Sequence, residues 1–288
     1  MVSSPPSTDS EISPFDGLEQ SRVIHYSRLQ AFGAALQQLR NNVDHSRTTN
    51  QYLIVRDVDE DIMKHIEDRG YKGVRYEWHG DLEVLIVKVP TKTHETAAAA
   101  FGDEISFTAR TMGLPAIERQ LTGAGKCQAP GGTPSKEADW SMVPANVRPS
   151  SSDDFPTIVI EVGFSETLRK LRSDARLWFS MSNNEVQIVI LIAVRAANNQ
   201  IIFEKWALGP AAAGQRRTRH TPLQLPRAEQ EITITRTPPN TFAITNGTAP
   251  LTLEFNRLFL RLPVGGEHDI VFTQAQLVDI AQSIFRMA

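Results

Sequence analysis

Two acidic residues stand where carboxylates can do chemistry. Glu161 interrupts the apolar run Thr157-Ile158-Val159-Ile160-Glu161-Val162, and Asp139 lies 22 residues earlier on the short extended segment 138–142. A carboxylate in a buried strand is costly unless it is paired, protonated or bound to a metal. Two neighbouring extended segments would bring both acids to one point, where they would repel and recruit a divalent cation. Mg²⁺ prefers oxygen ligands and usually takes one or two carboxylates plus water. Such an ion can hold a water for in-line attack on a phosphodiester and neutralise the developing charge. The competing reading has Glu161 end its strand in solvent, or pair with Arg169 or Lys170. Spacing alone does not choose between the two.

Other chemistries fit less well. The chain has 288 residues, a net charge of −3 and one cysteine, Cys127. A lone cysteine excludes an internal disulfide framework and a cysteine-rich zinc site. His94 is adjacent to Glu95, but no second histidine follows at zinc-helix spacing, so packing or capping is the expectation there. Gly123-Ala124-Gly125-Lys126 lacks the spacing of a phosphate-binding loop. Ser165 sits in no nucleophile elbow. Near-neutral charge excludes a protein coated in basic residues, so any nucleic-acid surface must be local. The local candidates are Arg169, Arg172 and Arg176 on one helix stripe and the cluster Arg216, Arg217, Arg219. For each, phosphate contact and a merely solvated face both remain open.

The elements that must position these residues follow from hydrophobic period. Residues 1–20 are rich in Ser, Pro and acids and read as a disordered tail. Helices are expected at 22–42, 59–69, 94–112, 166–181 and 274–287. Strands are expected at 74–78 and 82–89, joined as a hairpin, then at 157–162, 186–194, 201–208, 231–235 and 251–255. That order predicts an α/β domain with a mixed central β-sheet flanked by helices, spanning 21–288 as one unit. The longest apolar run, 186–194, is too short for a membrane helix. The N-terminus lacks the order of a signal peptide. An intracellular protein of the cytoplasm or nucleus is the expectation.

Several of these segments together resemble the PD-(D/E)XK nuclease superfamily. The stretch Ala138-Asp139-Trp140, the strand ending Glu161-Val162, and the helix after Ser165 follow its plan. The closest resemblance is to Uma2-type restriction-endonuclease-like proteins and their fungal relatives. The hairpin Tyr76-Glu77-Trp78-His79-Gly80-Asp81-Leu82, the step through Pro90 to His94-Glu95, and Leu171-Arg172-Ser173-Asp174-Ala175-Arg176-Leu177-Trp178 carry it, over roughly residues 74–208.

The resemblance implies a restriction-endonuclease-like core, Mg²⁺ or Mn²⁺ as cofactor, and DNA phosphodiester hydrolysis, with a homodimer possible. Position by position, Glu95 would support the metal-bound water. Asp139 and Glu161 would be the acidic metal ligands, with the Val162 carbonyl beside them. The family's lysine normally follows the second acid by two residues, where this chain has Gly163. Ala138 replaces the proline of the motif. A migrated lysine would restore the site, with Lys170 the first choice and Lys205 the second. Without one, a degenerate nuclease fold acting as a nucleic-acid or protein binding module is the alternative. A fold-unrelated protein whose acids only pair with arginines is the third reading.

Overall fold

The computed structural model describes residues 13–45, 48, 50–122, 125–148, 155–164, 168–210 and 224–287. The first half of the chain contains β1 (Arg22–His25), α1 (Leu29–Asp44), β2 (Tyr52–Arg56), α2 (Glu60–Arg69), β3 (Arg75–His79), β4 (Val84–Lys88) and the 20-residue α3 (Lys92–Thr111). Four short strands follow: β5 (Gln120–Leu121), β6 (Lys126–Gln128), β7 (Ser135–Glu137) and β8 (Trp140–Val143). Then come β9 (Ile158–Phe164), α4 (Leu168–Met181), β10 (Ile188–Arg195) and β11 (Gln200–Pro210). The chain closes with β12 (Gln224–Thr237), β13 (Thr241–Asn246), β14 (Leu251–Leu253), α5 (Phe255–Phe259), β15 (Ile270–Phe272) and α6 (Gln274–Phe285).

Two mixed sheets organise these elements. The larger has the order β13-β12-β11-β10-β9-β8-β5, with β9 and β10 parallel and the other pairs antiparallel. Its two central strands are apolar on both faces, as strands covered on both sides must be. Ile158, Ile160, Val162 and Ile190 pack under α3 and α6 with Phe101, Ile105 and Ile284. Val159, Val189 and Leu191 pack against α4 through Leu171, Ala175 and Trp178. A mixed sheet between two helical layers, with this strand order and these directions, is consistent with a restriction-endonuclease-like fold, as expected.

The smaller sheet runs β1-β2-β4-β3-β7-β6, with β1 parallel to β2. One face packs Leu53, Val55, Leu85 and Val87 under α1 and α2 through Phe32, Leu36, Met63 and Ile66. Alternation sends Glu77, Ile86 and Lys88 to the opposite face. The chain crosses between the sheets at residues 138 and 139, because β7 belongs to the smaller and β8 to the larger. Asp139 therefore sits at their junction.

Local signals that act within one turn agree with the sequence reading. Asp59 caps α2 by accepting from the Ile62 N–H at 2.8 Å, and Gly70 closes it with φ +64°. Other expectations need correction. The helix expected from residue 22 begins at Leu29, since residues 22–25 instead pair with β2, itself unassigned from sequence. Such four- and five-residue runs are too short for period to classify. Residues 251–255 are a strand only to Leu253, and Phe255 opens a short helix. Residues 13–20, assigned to the tail, form packed turns in which Leu18 is buried against Tyr52 and Ile54.

Candidate functional site

The junction of the two sheets encloses a cluster of charged side chains. β3 supplies Glu77, β4 Lys88, β7 Lys136, the crossing Asp139, β9 Glu161, and α4 Lys170 and Asp174. None of the seven is more than 7% exposed. Buried charges persist only when partnered, and here each has a partner.

The cluster has two halves. In the first, Lys88 Nζ donates to Asp139 Oδ2 at 3.1 Å and to the Val162 carbonyl at 2.6 Å. Asp139 Oδ2 also accepts from the Val162 N–H at 2.8 Å, and His94 Nε2 approaches it at 2.9 Å. Burial alone would raise the Asp139 pKa, but His94, Lys88 and the Val162 N–H hold the carboxyl well below the usual range. His94 is fully buried at the first turn of α3, and burial lowers its pKa, with Asp139 opposing.

In the second half, Lys136 Nζ lies 2.7 Å from Glu77, 3.1 Å from Asp174 and 3.7 Å from Glu161. Lys170 Nζ bonds Glu77 at 3.0 Å and Asp174 at 2.9 Å. The Glu77 carboxyl is held low despite burial, because Lys136 and Lys170 both face it. Glu161 behaves in the opposite way. Burial pushes it up to about 8, Lys136 opposes, and Asp139 and Asp174 add to the rise. Its Oε1 accepts the Trp178 indole N–H at 2.6 Å. With Glu161 neutral, three carboxylates (Glu77, Asp139, Asp174) face three ammonium groups (Lys88, Lys136, Lys170).

The expected site residues fall into three groups. Asp139, Glu161, Val162 and Lys170 converge at the junction. Lys170 reaches Glu77 and Asp174, though, and not Asp139 or Glu161. Glu95 stands outside with its carboxylate half-exposed; it pairs with Arg75 at 3.0 Å, whose Nε is 3.9 Å from Asp139 Oδ1. Lys205 is on the wrong face, since it alternates with Phe203 toward α3 and α6 and pairs with Glu229 at 3.1 Å and Glu254 at 2.5 Å.

The arginine stripe on α4 is committed within the molecule. Arg169 pairs with Asp16 and Glu19, Arg172 with Glu204 and Glu231, and Arg176 lies over the Trp206 ring at 5.2 Å. Arg216, Arg217 and Arg219 lie outside the described residues.

The sequence reading missed Glu77, Lys88, Lys136 and Asp174 and gave His94 only a packing role. A signal existed for some. Glu77 and Lys88 are charges within apolar strands, and Lys170, Asp174 and Trp178 recur at four-residue spacing along one side of α4.

These residues do not fit Mg²⁺ as they stand. The lysine ammonium already lies between Asp139 and the Val162 carbonyl, two of the three expected ligands. The third, Glu161, already accepts the Trp178 indole N–H at its Oε1. The space between these groups is about 10 Å³, room for no more than about one water. Among the described residues, no group of three or more His, Cys, Asp or Glu side chains is placed to hold a metal.

No family model matches the sequence, nor does any curated protein. Among solved structures, a presumed nuclease of the DUF820 group from Anabaena variabilis aligns with a TM-score of 0.32 and 14% identity, over 49% of this chain and 82% of that one. The class is given by the strand order and the layers: a mixed α/β protein whose larger sheet lies between helices. Among the described residues, no helix is long and apolar enough to cross a membrane.

Proposed function

We propose that this chain is a nuclease-fold protein in which lysines have taken the metal's place, and that it binds nucleic acid without cutting it. The observation that carries this reading is Lys88 Nζ, at hydrogen-bond distance from both Asp139 and the Val162 carbonyl. A fixed ammonium supplies the charge that would neutralise two acidic strand ends, yet it activates no water. The enclosure of the cluster supports the same reading, because a phosphodiester cannot approach acids that are almost wholly buried. The densest basic run in the sequence, Arg216-Arg217-Thr218-Arg219-His220, would supply phosphate contacts.

A second reading makes Lys88 the lysine absent from position 163, in a Uma2-type Mg²⁺ hydrolase that opens to admit its substrate. The same position of Lys88 favours it. Plasmid cleavage with Mg²⁺ or Mn²⁺ separates the two. The proposal expects intact supercoiled DNA with wild type, Asp139→Ala and Glu161→Ala alike. It also expects a salt-sensitive gel shift that weakens when Arg216, Arg217 and Arg219 become alanine. Cleavage that disappears in Asp139→Ala would overturn it in favour of the hydrolase.

A further inference from the structure

Residues 13–20 lie across the seam between the two sheets. Leu18 is buried against Tyr52, Ile54, Val84 and Ile86, on the face of the smaller sheet that also carries Lys88. From there the segment reaches α4 in the other layer. The Ser173 hydroxyl donates to the Ser13 carbonyl at 3.3 Å, and Arg169 takes two acids of the same segment. Its Nη2 donates to Asp16 Oδ1 at 2.8 Å and its Nη1 to Glu19 Oε1 at 3.1 Å. One acidic oxygen on each Nη is the arrangement in which an arginine holds two oxygens of a phosphate.

The segment is held lightly. Among residues 13–20 only Leu18 is buried. Both ion pairs are open to solvent, with the Arg169 side chain 64% exposed and that of Glu19 59%, and such pairs contribute little. Its backbone bonds are three short turns, donated by the N–H groups of Asp16, Leu18 and Ser21. Segments with few buried contacts are the first to open. On the helix side, Arg169 begins the stripe that Arg172 and Arg176 continue. Arg172 is fixed by the fully buried Glu204. Arg169 is held only by acids at the surface, and it can exchange them for another anion.

We infer that residues 13–20 are an autoinhibitory strap, whose Asp16 and Glu19 occupy on Arg169 the place of a nucleic-acid phosphate. The phosphate backbone competes with these two acids for the same Nη atoms, and tight binding requires the strap to let go. The inference rests on the nucleic-acid reading above and adds its regulation.

Anisotropy titrations of a fluorescein-labelled DNA duplex with the full chain, over a range of KCl, test it. Asp16→Asn combined with Glu19→Gln keeps the shape of both side chains and drops their charge, and circular dichroism checks that the fold is kept. The double variant should bind several-fold more tightly than wild type at low salt. Its plot of log Kd against log salt should be steeper by about 1, the share of one further phosphate contact. Losing two negative charges would favour DNA anywhere on the surface, so Arg169→Ala decides the matter. In wild type, where the strap already holds Arg169, it should leave affinity nearly unchanged; in the double variant it should remove the gain. DNA should also speed hydrogen exchange at the Leu18 and Ser21 N–H groups of wild type. Equal affinity of wild type and the double variant would overturn the inference, and so would an Arg169→Ala effect of the same size in both backgrounds. If binding still fell when Arg216, Arg217 and Arg219 become alanine, the nucleic-acid reading would then stand without the strap. DNA binding by none of these proteins would overturn both.

Discussion

Replacing Glu161 with glutamine isolates a buried acid whose carboxyl burial pushes up to about 8. Its carboxyl titrates near 4.5 when unfolded and near 8 in the folded protein, raised chiefly by burial. Between those values the folded state keeps a proton that the unfolded chain has released. Stability therefore falls as pH rises, by about 1.4 kcal/mol per pH unit. Over the whole interval this reaches roughly 5 kcal/mol, and the slope ends once pH passes the folded value. Glutamine carries no such proton, and its carbonyl can still accept the Trp178 N–H that Glu161 accepts at 2.6 Å. The two proteins should be equally stable near pH 4.5, and the variant should gain steadily up to about pH 8. His94, lowered by burial, gives the opposite slope below its ordinary value, but both proteins contain it and the difference cancels it. Urea denaturation followed by tryptophan fluorescence, from about pH 5 to about pH 9, reads the effect. Parallel stability profiles would refute the reasoning. So would a variant less stable by a constant amount at every pH, since Glu161 would then be ionised in the fold.

Three further substitutions test the packing around the cluster. Lys88→Met leaves Asp139 and the Val162 carbonyl without their cation and should cost about 3–5 kcal/mol, read as a lower urea midpoint with unchanged slope. Trp178→Phe removes the donor to Glu161 and should cost about 1–3 kcal/mol; a thermal midpoint equal to wild type would show that this bond contributes nothing. Gly102→Ala improves helix propensity by about 1 kcal/mol, but the added Cβ would land in the Trp140 indole, where α3 crosses β8. A net loss of about 1–3 kcal/mol from overpacking is expected, and a gain in calorimetric midpoint would show that the indole moves aside freely.

How far the molecule could be read in advance differs by element. Helix α3 was legible because Ala98, Phe101, Ile105 and Ala109 repeat at helical spacing and do form its buried face. Strand β10 was legible because a seven-residue apolar run bounded by polar residues has few other uses. β1 and β2 were not, since each is defined by its partner across the sheet more than by its own few residues. In the site, Asp139 and Glu161 stood out as acids in extended segments, and Lys170 as the nearest basic candidate. Lys136 did not, because nothing local distinguishes a lysine that will be buried from one that will be solvated, and Lys88 shows only as a charge closing an apolar strand.

By itself the sequence determined the periods, the caps and the α/β class, all of which act between residues within a few turns of each other. Tertiary structure decided what the acids face. Lys88 meets the Val162 carbonyl across 74 residues of chain, and Lys136 meets Asp174 across 38. Those pairings exist because the charged face of one sheet closes over the end of another at the Asp139 crossing. Burial there makes an unpartnered charge so costly that lysines are held where the sequence pattern alone led one to expect a metal ion.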